Sequence, residues 1–447
     1  MKKNIINSVF GLAVASLMLT ACSNAEDAVA EKSAVSAGGE TPINFGAYLN
    51  RNITRGGYEG ELTTATLQTA AQGFGVLAYF TDNQPYTPNA IPNFMYNQQV
   101  TYDTDHWTYS PLKYWPNEFG ADAASEGMDR LSFFAYAPYT AVNLVTGEAV
   151  DAENGIIGMT RSTENGYPKV RYAASFDPTK KVDLCWAEPQ RNKIKQAVDA
   201  AVPFNFNHAL ASLNVQIDAL FDSKDPNAPG TLDGNTRIWV RSVTFDGLAV
   251  KGELNLNNDN PVPEWNDLYS NLPLSGEPVT IYDGRRDGRE GYAAMPNEKP
   301  IGINSDLVQD GEYTTNGTTI TAPANNKGVT SAAVNLFEGA TGATDAIYVI
   351  PTGVPLQVTI VYDVETYDPN LVSSFLSDAK TKGVSVENTI TKTILLDPTD
   401  ATTGIILEAG FKYIVRLHLG MTSVKADADV VEWVDGDEAD TDLPANN

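Results

Sequence analysis

Ile43, Phe45, Ala47 and Leu49 alternate with Asn44, Gly46, Tyr48 and Asn50. An extended chain places every second residue on one face, so residues 43–49 read as a strand with one apolar side. Near the other end Val424, Ala426, Ala428 and Val430 alternate with Lys425, Asp427 and Asp429, the same rhythm in smaller side chains. After Val430 and Val431 the phase shifts, which predicts a bulge or a change of sheet.

Between these two stretches strand signals dominate. Phe74–Phe80, Leu131–Ala137, Leu213–Ile217, Ile238–Phe245 and Leu356–Tyr362 are rich in β-branched and aromatic residues, and Asn, Asp, Gly and Pro clusters separate them. Asp183–Ala187 reads as a further strand in which Cys185 is a small buried hydrophobe. Helical period is rare; the candidates are Asn192–Val202, Asn370–Lys382 and the Thr-rich Leu62–Gln72. Many short strands with long polar loops predict an all-β fold of antiparallel β-sandwiches with Greek-key connections. The loops around 222–235 and 304–327 belong on the surface. No fixed-period repeat points to a propeller or solenoid.

A chain of 447 residues exceeds what one core usually supports, so two domains are expected. The division is placed near residue 200, giving 42–200 and 201–434, with an acidic tail over 435–447. The first 21 residues read as a signal peptide: Lys2 and Lys3, then an apolar run from Val9 to Leu19, too short to span a bilayer. Leu19-Thr-Ala-Cys22 resembles a bacterial lipobox, in which Cys22 is diacylated and becomes the N-terminus. Residues 22–41 lack periodicity and form a flexible tether. Its Glu26-Asp27 pair reads either as a solvated linker or as an acidic surface-export signal. No other stretch is long and apolar enough to cross a membrane as a helix.

Charge narrows the partners. With 30 Lys and Arg against 56 Asp and Glu, a net charge of −26 opposes binding to nucleic acid or to an anionic membrane surface. The catalytic inventory is thin. His106, His208 and His418 form no metal-spaced pair and no local cluster with cysteine, so no metal or other cofactor is expected. His208 and His418 read as structural, and Cys185 lacks the basic surroundings of a catalytic thiol. There is no Gly-x-Ser-x-Gly elbow and no phosphate-cradling loop. Asp435–Asp442 lacks the order of a calcium loop and reads as a solvated tail. Asp283–Arg289 is a turn-prone basic loop. Trp107, Tyr109, Tyr114 and Trp115 either form a glycan-stacking platform or pack in the core.

Several segments, in order, resemble the fimbrillin-like family of lipoprotein-derived type V pilins. They are Trp107-Thr-Tyr-Ser-Pro-Leu-Lys-Tyr-Trp-Pro116, Phe133-Phe-Ala-Tyr-Ala-Pro-Tyr139, Phe206-Asn-His-Ala-Leu-Ala-Ser-Leu213, Tyr348-Val-Ile-Pro351 and Ala409-Gly-Phe-Lys-Tyr413 leading to Trp433. The lipobox and Thr54-Arg55-Gly56 complete the pattern. The resemblance implies two transthyretin-like sandwich domains and a pilus or pilus-accessory subunit held by a lipid anchor at the outer membrane, on the cell surface. It also implies an arginine-specific extracellular protease that cuts after the first strand, so that another pilin subunit's strand fills the vacated groove.

Carried onto this chain, the displaced strand is Ile43–Leu49 and the cut falls after Arg55, with Arg51 as the alternative. Arg55 also reads as an ordinary loop arginine. The candidate donor strand is Val424–Val430, a strand with one apolar face suited to complementation. If that segment is instead the domain's own last strand, the chain accepts a strand without donating one. Stalk, tip and adhesion roles, the last with a host or bacterial surface receptor, stay open. The other reading is a surface glycan-binding lipoprotein; an acidic glycosidase is more distant.

Overall fold

The structure, a computed structural model, describes residues 41–49, 62–69, 72–116, 129–219, 236–268, 272–274, 276–283, 301–303, 312–315, 318–321, 334–337, 346–367, 383–394, 404–420 and 424–432. The signal region, Cys22, the tether up to residue 40, Arg51, Arg55, the 370–382 helix candidate and the acidic tail lie outside these residues. Within them the fold is all-β. It has twenty-five strands, β1 to β25 in chain order, in five sheets.

The first sheet runs β1-β10-β8-β5-β2-β3-β4, with β9 also on β5. Its strands are β1 (Asn44–Leu49), β2 (Phe74–Phe80), β3 (Met95–Asp103), β4 (His106–Thr108), β5 (Leu131–Ala137), β8 (Cys185–Ala187), β9 (Gln190–Lys193) and β10 (Ala201–His208). Its centre is buried on both faces, which is why β2 and β5 are near-continuous apolar runs. On one face Leu77, Tyr79, Phe134, Tyr136 and Trp186 meet the second sheet, β15-β14-β7-β6. That sheet comprises β6 (Gly155–Met159), β7 (Lys169–Ala173), β14 (Lys251–Asn255) and β15 (Trp265–Asn266). On the other face Phe74, Val76, Phe133, Phe204 and Phe206 form a second core with β1 and with Leu67. Leu67 is the buried residue of α1 (Thr64–Thr69), whose N-terminus is capped by the Thr63 hydroxyl accepting from the Thr66 amide. Gly75 is required where it stands, because a Cβ there would lie 2.4 Å from the Tyr136 ring.

The remaining strands build a second sandwich. One sheet runs β13-β21-β11-β24-β25, with β20 on β11; the facing sheet runs β16-β12-β22-β23, with β17 on β12. The first contains β11 (Ala211–Ala219), β13 (Leu248–Ala249), β20 (Val334–Asn335), β21 (Ile347–Pro351), β24 (Phe411–Leu419) and β25 (Val424–Glu432). The second contains β12 (Thr236–Asp246), β16 (Val279–Asp283), β17 (Ile301–Ile303), β22 (Gln357–Tyr367) and β23 (Gly383–Thr393). Alternate residues of β11 and β24 (Leu213, Val215, Ile217; Val415, Leu417, Leu419) pack against those of β12 and β22 (Ile238, Val240; Val358, Ile360, Tyr362). A separate hairpin joins β18 (Glu312–Thr315) and β19 (Thr318–Thr321).

The 192–202 stretch is not a helix. Gln190–Lys193 pairs with β5, and Asn192 sits at φ 55° with its side-chain oxygen accepting from the Tyr86 amide at 2.7 Å. Asp199, at φ 69°, then turns the chain into β10. Pairing is not purely antiparallel, since β1–β10 and β11–β24 are parallel. Hydrogen bonding also crosses the line drawn at residue 200. β10 joins β1 to β8 in the first sheet, while β14 pairs with β7 over Lys251–Asn255 and brings β15 with it.

Candidate functional site, the seat of the first strand

β1 is an edge strand. Among the described residues its ladder runs parallel to β10, from Asn44 opposite Ala201 to Leu49 opposite Phe206. The period-two pattern of the sequence is realised in its burial: Ile43, Phe45, Ala47 and Leu49 are 0, 2, 2 and 7 % exposed. The Phe45 ring lies 5.6 Å from that of Phe204, 5.8 Å from Phe133 and 5.3 Å from Tyr109, centroid to centroid. Full burial of an Ile, Phe or Leu side chain is worth about 1.5–3 kcal/mol, so three such anchors make this a deep apolar seat.

Polar contacts fix the strand at its two ends. The Ile43 amide donates to the Lys113 carbonyl and the Trp115 amide to the Thr41 carbonyl, each at 2.9 Å. The Tyr109 hydroxyl donates to the Ile43 carbonyl at 2.9 Å, and burial pushes this phenol's pKa up. At the far end the Leu49 amide donates to Thr64 Oγ1 at 3.1 Å. Arg51 and Arg55 themselves are not described. Both flanks of their segment are anchored, however, because the Leu62 amide donates to Asp183 Oδ2 at 2.9 Å.

Val424–Val430, the candidate donor, lies in β25 at the edge of its own sheet. It pairs antiparallel with β24 from Val424 opposite Leu419 to Glu432 opposite Phe411. Ala426, Ala428 and Val430 pack against the core of the second sandwich, and an Arg416–Asp429 ion pair bridges the two strands.

The aromatic platform is not a surface. Trp107 and Trp115 are 6 and 3 % exposed. Trp107 packs edge-on against Phe74 at 5.0 Å and Trp115 against Phe133 at 5.8 Å. Tyr109, half-buried, is engaged with β1, and Tyr114 is half-buried as well. These residues wall the seat of β1; the core reading of them holds, and a glycan-stacking face built on them does not.

Among the described residues the titratable groups pair chiefly with one another. Arg171 is buried between Glu148 Oε1 (2.8 Å) and the Met159 carbonyl (2.6 Å), and Lys169 meets Glu253 at 3.4 Å, so the cleft they line is charge-paired. His418 Nδ1 meets Asp218 Oδ1 at 2.7 Å between the paired strands β24 and β11. His208 is drawn to Asp183 and Cys185, a juxtaposition that local spacing does not reveal because the register of β8 on β10 creates it.

Over residues 62–266 the chain matches a family model described as fimbrillin-like. The match begins beyond the seated strand and ends on the last residue of β15. Among characterised relatives, fimbrium subunit Fim1C of Phocaeicola vulgatus is 29% identical over 195 residues, 42% of this chain and 45% of that protein. Among solved structures, a fimbrial protein from Bacteroides vulgatus aligns over 88% of this chain and 99% of its own, with 20% identity and a TM-score of 0.49. A fimbrilin from Porphyromonas gingivalis aligns over 89% and 98%, with 8% identity and a TM-score of 0.32.

Proposed function

We propose that this chain is a structural subunit of a cell-surface fimbria, joined to other pilin subunits by strand exchange. The observation that carries the reading is β1 itself. It is an edge strand with one apolar face, paired among the described residues with β10 and bridged at Pro42 to Tyr114, and it lies outside the fimbrillin-like region that starts at Leu62. Cleavage after Arg55, or after Arg51, separates it from everything C-terminal, while α1 and the Leu62–Asp183 bond keep the new end in place. Departure of β1 bares Val202, Phe204 and Phe206 of β10 together with Phe133 and Tyr109. Such a trench associates unless another strand covers it.

A replacement strand gains main-chain bonds from β10 and side-chain pockets spaced two residues apart. To reproduce the native ladder it runs parallel to β10, as β1 does. Cys22 as lipid anchor at the outer membrane and an arginine-specific extracellular protease are parts of the same proposal. β25, already paired along its length, supports a subunit that accepts a strand and gives none, the situation at one end of a fibre.

The N-terminal residue of polymerised material tests this directly. Gly56, or Asn52 for a cut after Arg51, is expected, and the double variant Arg51→Ala, Arg55→Ala remains monomeric. Polymer in which every subunit retains residues 43–49 would sink the proposal.

A further inference from the structure

We propose that Asp183, Cys185 and His208 form a binding site for a zinc-class divalent cation. His208 and Cys185 are cross-strand partners in the antiparallel β10–β8 pair. Asp183 lies two residues before Cys185, so the extended backbone turns both side chains to one face. One donor atom from each residue falls within 4.8 Å of the others. His208 Nδ1 is 2.9 Å from Asp183 Oδ2 and 3.5 Å from Cys185 Sγ. A tetrahedral zinc ion with Zn–N near 2.0 Å and Zn–S near 2.3 Å sets its nitrogen and sulfur ligands about 3.5 Å apart. The ligating oxygen, Asp183 Oδ1, then belongs about 3.3 Å from that nitrogen.

Burial strengthens the case. Asp183 is 2 % exposed and Cys185 fully buried, while the His208 side chain, 14 % exposed, leaves an approach from solvent. Asp183 Oδ1 is buried with no hydrogen-bond partner, and an unsatisfied carboxylate oxygen in such a place is costly. A cation supplies what it lacks. Asp183 Oδ2 accepts the Leu62 amide at 2.9 Å, the kind of supporting hydrogen bond that orients a ligating carboxylate. One thiolate, one imidazole and one carboxylate suit zinc rather than calcium or magnesium, which take oxygen ligands. Water fills the fourth position. Binding releases the thiol proton to solvent, His208 ligates as a neutral imidazole with its one proton on Nε2, and no redox change is involved. This site is independent of the fimbrial reading, since neither requires the other.

The full-length chain carrying Cys22→Ala, purified untagged in detergent and treated with chelator, retains Cys185 as its one thiol. Titration with Co²⁺ is expected to give a thiolate-to-cobalt charge-transfer band saturating at one equivalent. Zn²⁺ abolishes that band and slows maleimide labelling of Cys185 at least tenfold. Adding Cys185→Ser removes the band, and His208→Asn or Asp183→Asn weakens zinc binding by roughly 10- to 100-fold or more. The cobalt band and thiol protection are read without altering any ligand, so misfolding of a variant does not obscure the answer. No band and no protection, or equal zinc affinity in all three ligand variants, overturns the site.

Discussion

Phe45→Ala asks whether β1 is a separable element. Phe45 is 2 % exposed and its ring meets those of Phe204, Phe133 and Tyr109 within 6 Å. Truncating such a buried Phe costs about 3–5 kcal/mol. If β1 leaves its seat without the rest of the molecule unfolding, that loss falls entirely on the local opening equilibrium. At about 1.4 kcal/mol per decade it raises the open population by roughly two to three and a half orders of magnitude. Hydrogen exchange followed by mass spectrometry on the full-length chain reads this out. Peptides covering residues 41–49 and 201–208 should exchange faster by that factor, while peptides from β5, β12 and β22 keep their protection. Equal acceleration everywhere would make β1 an integral part of one cooperative unit, and no acceleration would mean that Phe45 anchors nothing. Either result defeats the idea of a detachable strand.

Further consequences can be measured. Gly75→Ala drives a methyl group into the Tyr136 ring and should cost about 1–3 kcal/mol, seen as a lower urea midpoint with an unchanged slope. Arg171→Met leaves the Met159 carbonyl without its donor and should cost about 1–3 kcal/mol in the same assay. Burial pushes the Tyr79, Tyr136 and Tyr172 phenols well above their ordinary value of 10.0. Their folded pKa values are raised, so the stability they contribute is intact below pH 10 and is lost as pH climbs above it. Each costs about 1.4 kcal/mol per pH unit in that range, and phenolate absorbance should rise together with unfolding rather than before it.

Much of the β architecture is written in local pattern. β1 alternates because one face is buried; β2 and β5 run apolar without a break because they sit between two cores. Residues 192–202 misled because an apparent helical period there comes from a short strand, a left-handed Asn192 and a turn at Asp199, none of which leaves a periodic mark. Trp107 and Trp115 could not be assigned to core or surface from sequence, since an aromatic side chain suits both and only the packed neighbours decide. The Asp183, Cys185 and His208 cluster was out of reach for a different reason. It depends on which residue of β10 faces which residue of β8, a non-local choice made by the whole sheet. The parallel direction of β1 is likewise a property of topology, silent in its own residues.

The return of β14 and β15 to pair with β7 bears on how the molecule is made. Domains commonly fold in the order in which they are synthesised. Here the earlier sandwich waits for Asn266, by which time β11, β12 and β13 have already emerged and are seeking partners of their own. The two halves therefore mature together, and stopping translation at residue 200 would yield a product with its first sheet lacking β10 and its second reduced to a lone hairpin.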